Sequence, residues 1–190
     1  MDKGRLRAVH AEPGRNDPIY RNWGTITTVA VSKTAPKTVY VGTDTGRLWK
    51  TEDLGATWNE FTDAGLPKRW VTRVAIDPAD EDVAYATFSG FRSGEVAAHV
   101  FRTGDGGRTW QDISGSLPNA PINDVVIDSG RGTVYVGGDV GVFSLERGAE
   151  EWAAVGRSLP LVPVLDLRLH APSATLFAGT FGRSVWRIGL

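Results

Sequence analysis

Short apolar segments recur along this 190-residue chain at a regular interval and predict a repeated β-sheet unit. The first segment of each repeat is rich in β-branched residues and partly alternates between apolar and polar positions, at 26–31, 71–77, 122–128 and 164–170. A second segment follows at 39–42, 83–86, 134–137 and 176–179, and a third at 48–50, 100–102, 142–144 and 185–187. Such composition and alternation are typical of strands. A repeat of roughly 40–50 residues built from short strands predicts an all-β propeller of about four four-stranded blades.

The third segment is followed in two repeats by the same eight-residue pattern, which we call the octet. Thr51-Glu52-Asp53-Leu54-Gly55-Ala56-Thr57-Trp58 returns as Thr103-Gly104-Asp105-Gly106-Gly107-Arg108-Thr109-Trp110, and a degenerate copy ends at Trp152. A fourth strand is predicted to begin at the tryptophan of each copy, and a Leu-Pro pair then leads into the next repeat at 66–67, 117–118 and 159–160. These landmarks divide the chain into units of about 26–65, 71–115, 122–157 and 164–190, of which the last ends before any fourth strand.

The residue types of the octet predict a turn and a packing element. Aspartate accepts hydrogen bonds from its own loop, glycine adopts positive φ without a Cβ clash, threonine supplies a hydroxyl, and tryptophan packs between neighbouring sheets. The residues given these structural roles are Asp53, Gly55, Thr57, Trp58, Asp105, Gly107, Thr109 and Trp110. Because they recur from repeat to repeat, a structural role is favoured over metal or sugar binding.

The octet matches the pattern Ser/Thr-x-Asp-x-Gly-x-Thr-Trp and therefore resembles the Asp-box, or bacterial neuraminidase repeat (BNR), family. Propellers of this family include sialidases, xyloglucan-active glycosidases, sortilin-type receptors and photosystem II assembly factors. The resemblance covers about residues 26–188, and it implies that the octets lie on the propeller face away from the ligand. It does not single out one of these functions, because one fold hosts many.

Residues 1–25 precede the first predicted strand and are interpreted as outer strand material that completes a blade. Within them, residues 4–9 resemble the third strand of the first repeat at residues 46–51. Three arrangements stay open: a ring of about four blades closed within one chain, a homodimer that completes a larger propeller, and the C-terminal piece of a longer propeller. Closure of a ring removes the free sheet edges that otherwise invite pairing.

Composition narrows the classes of partner and cofactor. The net charge is −1, from 21 basic and 22 acidic residues, which argues against broad electrostatic binding of nucleic acid or anionic membrane. The chain has no cysteine, and His10, His99 and His170 have no metal-ligand spacing, so neither a metal site nor another cofactor is expected. No signal peptide and no membrane-length apolar segment is visible, so a soluble protein of unassigned compartment is expected.

Two groups of residues are candidates for ligand binding. Residues 89–98 form a long loop where the other repeats have a minimal turn, and a loop that departs from its repeat is a favoured place for function. The loop itself contains Phe91 and Arg92. Trp70, just before the inner strand of the same repeat, and Arg183, in the matching loop of the last repeat, are expected on the same face. The second group lies on the inner strands, where alternation places Arg73, Asp124 and Asp166 at the same register and predicts an Arg–Asp–Asp ring in the channel.

These candidates favour a non-catalytic binding or scaffold domain for a protein or carbohydrate ligand, and no catalytic residue is assigned. The arginine-containing N-terminal motif of sialidases is absent, because Ile19-Tyr20-Arg21-Asn22 does not match it. The alternative is the C-terminal portion of a sialidase-like or related glycoside hydrolase whose catalytic residues are completed elsewhere. Whether the chain is an enzyme stays open, and the residues favour the non-catalytic interpretation.

Overall fold

The computed structural model describes residues 24–61, 64–156 and 158–190, and in these residues the strands form four antiparallel sheets, or blades. Blade 1 contains β1 (Ile26–Val31), β2 (Val39–Thr43), β3 (Leu48–Thr51) and β4 (Asn59–Glu60). Blade 2 contains β5 (Trp70–Asp77), β6 (Asp80–Ser89), β7 (His99–Thr103) and β8 (Gln111–Asp112). Blade 3 contains β9 (Ile122–Asp128), β10 (Thr133–Gly138), β11 (Gly141–Glu146) and β12 (Ala153–Val155). Blade 4 has three described strands, β13 (Val164–His170), β14 (Thr175–Thr180) and β15 (Val185–Gly189).

Each blade is an up-and-down meander in chain order, which confirms the predicted all-β repeat. The predicted inner strands agree with β1, β5, β9 and β13 to within one residue. The prediction for β6 was too short, because β5 and β6 pair along their whole length, from Trp70 with Ser89 to Asp77 with Asp80. The fourth strands begin one residue after the tryptophan rather than at it. Two short 3₁₀ helices, at Phe91–Ser93 and Ala171–Ser173, complete the regular structure of the described residues.

The hydrophobic core lies between blades rather than within one sheet. Three clusters of buried side chains fill the spaces between blades 1 and 2, blades 2 and 3, and blades 3 and 4. Their largest fully buried members include Tyr40, Phe88, Ile122 and Leu167. Phe88 and Phe101 meet edge to face with ring centroids 5.6 Å apart, a favoured aromatic geometry. Each blade is therefore stabilised mainly by its neighbours.

A repeated hydrogen bond fastens each inner strand to the next. Thr27 Oγ1, Thr72 Oγ1 and Asn123 Nδ2 each donate to a backbone carbonyl at the start of the following inner strand. The acceptors are the carbonyls of Val71, Ile122 and Val164, at 2.5, 2.8 and 3.1 Å. Leu165 holds the corresponding position in blade 4 and cannot donate. The repeat of this contact fixes the common register of β5, β9 and β13, on which the candidate site depends.

The described blades form an open arc. The inner strands pack in consecutive pairs, whereas β13 and β1 form no such packed pair within the described residues. Val29 and Val31 on β1 are 58% and 56% exposed, although their counterparts in blade 2, Val74 and Ile76, contribute to the core between blades 1 and 2. The structure is thus part of a propeller. The prediction that residues 1–25 complete a blade falls almost entirely on residues 1–23, which lie outside the described residues.

Each octet forms a closed network of hydrogen bonds in the loop before the fourth strand. Asp53 accepts from Thr57 N at 2.8 Å, from Thr57 Oγ1 at 2.7 Å and from Thr51 Oγ1 at 2.7 Å. Asp105 repeats this pattern with Thr109 and Thr103. Gly55 and Gly107 have φ of 87° and 93°, and a Cβ on Gly107 would lie 2.5 Å from the Phe61 ring, so that only glycine fits.

These networks predict a pH dependence of stability. Hydrogen bonds from Thr57 to Asp53 and from Thr109 to Asp105 lower the pKa of both carboxyl groups from 3.8 to about 2. Because the folded pKa is the lower one, the two carboxylates stabilise the fold above the unfolded pKa, and this contribution is lost as the pH falls from about 4 to about 2. Urea unfolding at several pH values in this range measures the free energy of unfolding. We expect it to fall less steeply with pH for the double variant Asp53→Asn/Asp105→Asn than for the wild type. An equal fall for the two proteins would contradict this role of the two carboxylates.

Candidate functional site

Four charged side chains from three inner strands meet at the centre of the arc. Arg73 on β5 donates through Nε to Asp124 Oδ1 on β9 at 2.6 Å, and its NH2 group lies 3.5 Å from Asp166 Oδ1 on β13. Arg168 NH2 lies 2.8 Å from the same oxygen of Asp166. We call Arg73, Asp124, Asp166 and Arg168 the inner cluster. Arg73 spans from blade 2 to blade 4, so the inner strands converge here, as the shared register predicted.

Asp124 is held inside the inner cluster by three hydrogen bonds. Besides the bond from Arg73, its carboxylate accepts from Val125 N at 2.8 Å and from Leu167 N at 2.7 Å, which ties blade 3 to blade 4. Its side chain is 1% exposed. Burial raises the pKa of Asp124 above its ordinary value, and the Arg73 charge and the backbone donors oppose that rise. Asp124 was predicted as a ligand-binding candidate, and the structure places its carboxylate in the interior of the inner cluster.

Asp166 differs from Asp124 in exposure although the two occupy the same register. Its side chain is 48% exposed, that of Arg168 is 63% exposed and that of Arg73 is 30% exposed. The accessible part of the inner cluster therefore consists of one carboxylate between two guanidinium groups. Such a set can donate to hydroxyl or carboxylate oxygens through arginine and accept from hydroxyl groups through aspartate.

The long loop of blade 2 brings an aromatic and a cationic side chain together. The Arg92 guanidinium lies over the Trp70 ring, 3.8 Å from its centroid, and this cation–π contact orients Arg92. Phe91 precedes Arg92 in the 3₁₀ helix and is 68% exposed. We call Trp70, Phe91 and Arg92 the loop platform. Arg73 lies three residues along β5 from Trp70, about 10 Å of strand, so the platform lies at the first end of β5 and the inner cluster lies about midway along the inner strands.

A charged network that the sequence did not indicate holds this loop in place. Glu95 accepts from Arg69 Nε at 2.5 Å, and its other oxygen lies 2.6 Å from His99 Nε2. The hydrogen bond from Arg69, followed by that from His99, lowers the pKa of Glu95 below its ordinary value. The linker before β5, the loop and the start of β7 are thereby joined. The signal that the sequence offered was Glu95 in the long loop, four residues before His99.

Arg183 lies apart from these contacts. It is exposed in the β14–β15 loop, where its backbone carbonyl accepts from Trp186 Nε1 at 2.8 Å. In the described residues, no cluster of three or more histidine, cysteine or acidic side chains is arranged to hold a metal ion. No helix there is both long and apolar enough to cross a membrane.

Comparison with known proteins gives one curated relative of similar sequence and many structures of similar fold. A xyloglucanase from Hypocrea jecorina (strain QM6a) is 31% identical over 117 residues, which are 60% of this chain and 13% of that enzyme. No protein-family model matches the chain, so the Asp-box resemblance stays a prediction. The chain thus spans about one eighth of the length of this relative.

Solved structures confirm the propeller fold. The GH74 xyloglucanase from Xanthomonas campestris superposes with a TM-score of 0.68 at 15% identity, over 86% of this chain and 29% of that enzyme. The β-propeller domain of Myceliophteria thermophila Cps50 (Swd1) superposes with a TM-score of 0.64 at 12% identity, over 85% of this chain and 51% of that chain. At these identities the likeness concerns the fold. This chain covers 29% of the first structure and 51% of the second, which agrees with an arc that is part of a larger ring.

Proposed function

We propose that this chain is the glycan-binding part of a xyloglucanase-like glycoside hydrolase propeller. The observation that carries the proposal is the sequence similarity to the Hypocrea jecorina xyloglucanase, which extends over more than half of the chain. It favours the alternative drawn from the sequence, a portion of a glycoside hydrolase, over a non-catalytic binding or scaffold domain. The ligand class of the proposal is a glucan chain of the xyloglucan type.

The loop platform supplies the groups that a sugar ring requires. Sites for small polar ligands combine aromatic surface with a few placed polar groups. The exposed Phe91 ring offers a flat apolar surface for the C–H face of a sugar. Arg92, fixed by its contact with Trp70, offers donors to neighbouring hydroxyl groups. The network of Arg69, Glu95 and His99 holds the loop in its position, which reduces the entropy lost on binding.

The inner cluster supplies polar contacts farther towards the centre of the ring. Asp166 and Arg168 are accessible, and they offer both an acceptor and donors to hydroxyl groups. Trp70 and Arg73 are three residues apart on β5, about 10 Å of strand, so a chain of several sugar units can contact both the platform and the cluster. In this proposal Asp124 has a structural role, because it orients Arg73 and connects blade 4 to blade 3 through hydrogen bonds.

The inner cluster does not by itself provide the two carboxyl groups that glycoside cleavage requires. Glycoside hydrolases generally need two carboxyl groups on opposite sides of the scissile bond. Asp166 is accessible, but Asp124 is enclosed by three donors and cannot reach a substrate. The proposal therefore assigns binding to this chain and places the catalytic pair with residues outside the inner cluster.

Titration of the chain with xyloglucan oligosaccharides by calorimetry tests the proposal. We expect saturable binding by the wild type and at least about tenfold weaker binding by Phe91→Ala, equivalent to about 1.4 kcal/mol. Leu161→Ala is the matched control, because Leu161 is 85% exposed and lies on the linker before blade 4. Absence of binding by the folded wild type, or equal affinity of Phe91→Ala, would contradict the proposed function.

A further inference from the structure

An apolar cleft opens between blades 3 and 4 at their outer edge. It has a volume of about 270 Å³ and is lined by side chains of both blades, among them Val142, Val155, Leu159, Trp186 and Ile188. By comparison, a cavity of about 150 Å³ accommodates a benzene molecule. The cleft therefore has room for a large aromatic side chain.

The other blades show what occupies the equivalent place. Trp152 of blade 3 packs into the cluster that contains Val100, Ile113 and Leu117 of blade 2. Trp110 of blade 2 packs in the same way with Leu48, Phe61 and Leu66 of blade 1, and its ring centroid lies 6.0 Å from that of Phe61.

The cleft is the third member of this series. Val142, Val155 and Leu159 occupy in blade 3 the positions of Val100, Ile113 and Leu117 in blade 2. We call each such set of three a socket. In the first two sockets the indole comes from the residue before the fourth strand of the following blade. Among the described residues, blade 4 has no fourth strand and the third socket holds no such indole.

The free edge of β15 lies beside this third socket. In blades 1 to 3 the third strand pairs with a fourth, as β3 does with β4, β7 with β8 and β11 with β12. β15 pairs with β14 alone among the described strands, and four of its five residues are exposed. An exposed strand edge offers unpaired backbone groups to an added strand.

We propose that the third socket and the edge of β15 together bind an extended peptide segment that begins with a large aromatic residue and comes from outside this sequence. The strand adds antiparallel to β15, and its aromatic ring enters the socket. At the distance before β1 at which the octet tryptophans stand before β5, β9 and β13, the sequence has Pro13 and Gly14 rather than an aromatic residue. The proposal is independent of the proposed function, since it concerns the outer edge rather than the centre.

The chain's own octet provides the probe. A synthetic peptide of residues 107–116, which contains Trp110 and the fourth strand of blade 2, is titrated into the full chain, and the same peptide with Trp110→Ala is the control. We expect saturable binding of the first peptide and at least tenfold weaker binding of the second. Equal binding of both peptides, or no binding of either to the folded chain, would overturn the proposal.

Variants of the chain locate the binding site. Leu159→Lys places a charge in the socket and should abolish binding, whereas Leu161→Lys, two residues farther along the same linker and 85% exposed, should not change it. Ile188→Lys on β15 serves as the second variant if Leu159→Lys does not fold. Binding that survives the socket variants would overturn the proposal. So would light scattering that shows self-association in competition with the peptide, because the occupant would then be a second copy.

Discussion

Replacement of Trp152 by alanine is expected to lower the free energy of unfolding by about 4 kcal/mol. The indole is buried between blades 2 and 3, where it packs against Leu117 and Ile113. Its Nε1–H also donates to the Ile113 carbonyl at 2.7 Å. The substitution leaves a cavity between two blades and removes the donor of a partly buried carbonyl, and these two losses act at the same interface.

A control variant separates the causes of this loss, measured by chemical denaturation. Trp152→Phe keeps an aromatic ring between the blades and removes the indole N–H, so a loss of about 1 kcal/mol beyond the small change in volume is expected. A loss for Trp152→Ala no larger than that for Trp152→Phe would contradict the role of the indole as a packing element between two blades.

Replacement of Asp124 by alanine is the second large effect, with an expected loss of about 3 kcal/mol. The substitution deprives the buried N–H groups of Val125 and Leu167 of their acceptor, and it leaves Arg73 without its closest partner. Arg73 is 30% exposed and can still interact with Asp166 and water, which places the expected loss at the low end for a broken buried pair.

Asp166→Ala is the matched control, because it removes a carboxylate at the same register of the neighbouring blade. Its side chain is exposed and its ion pairs are solvated, so a loss below about 1 kcal/mol is expected. Asp124→Asn should fall between the two, since the amide oxygen can still accept one backbone hydrogen bond. Similar small losses for Asp124→Ala and Asp166→Ala in urea denaturation would show that Asp124 does not connect the blades.

The difference between these two aspartates shows what the sequence could not reveal. Strand alternation predicted that Arg73, Asp124 and Asp166 share a register, and the structure brings all three together. Their burial depends instead on what lies next to each blade. Asp124 is enclosed because blade 4 packs against blade 3 and donates Leu167 N, whereas no described blade follows blade 4 to enclose Asp166.

The octets were predictable for the opposite reason. Asp53 and Thr57 lie four residues apart and interact within one loop, so their roles follow from local spacing alone. The network of Arg69, Glu95 and His99 depends on a loop without a counterpart in the other repeats. No periodicity could therefore indicate that Arg69, on a linker far away in sequence, would reach Glu95.

Hydrogen–deuterium exchange of the chain with and without xyloglucan oligosaccharide tests the proposed glycan site most directly. The loop platform and the inner cluster predict that the ligand slows exchange of backbone amides in residues 89–99 and near Asp166 and Arg168, while exchange in the octets stays unchanged. Slowed exchange confined to the octets or to the cleft between blades 3 and 4, or no change at saturating ligand, would contradict a glycan site at the loop platform and the inner cluster.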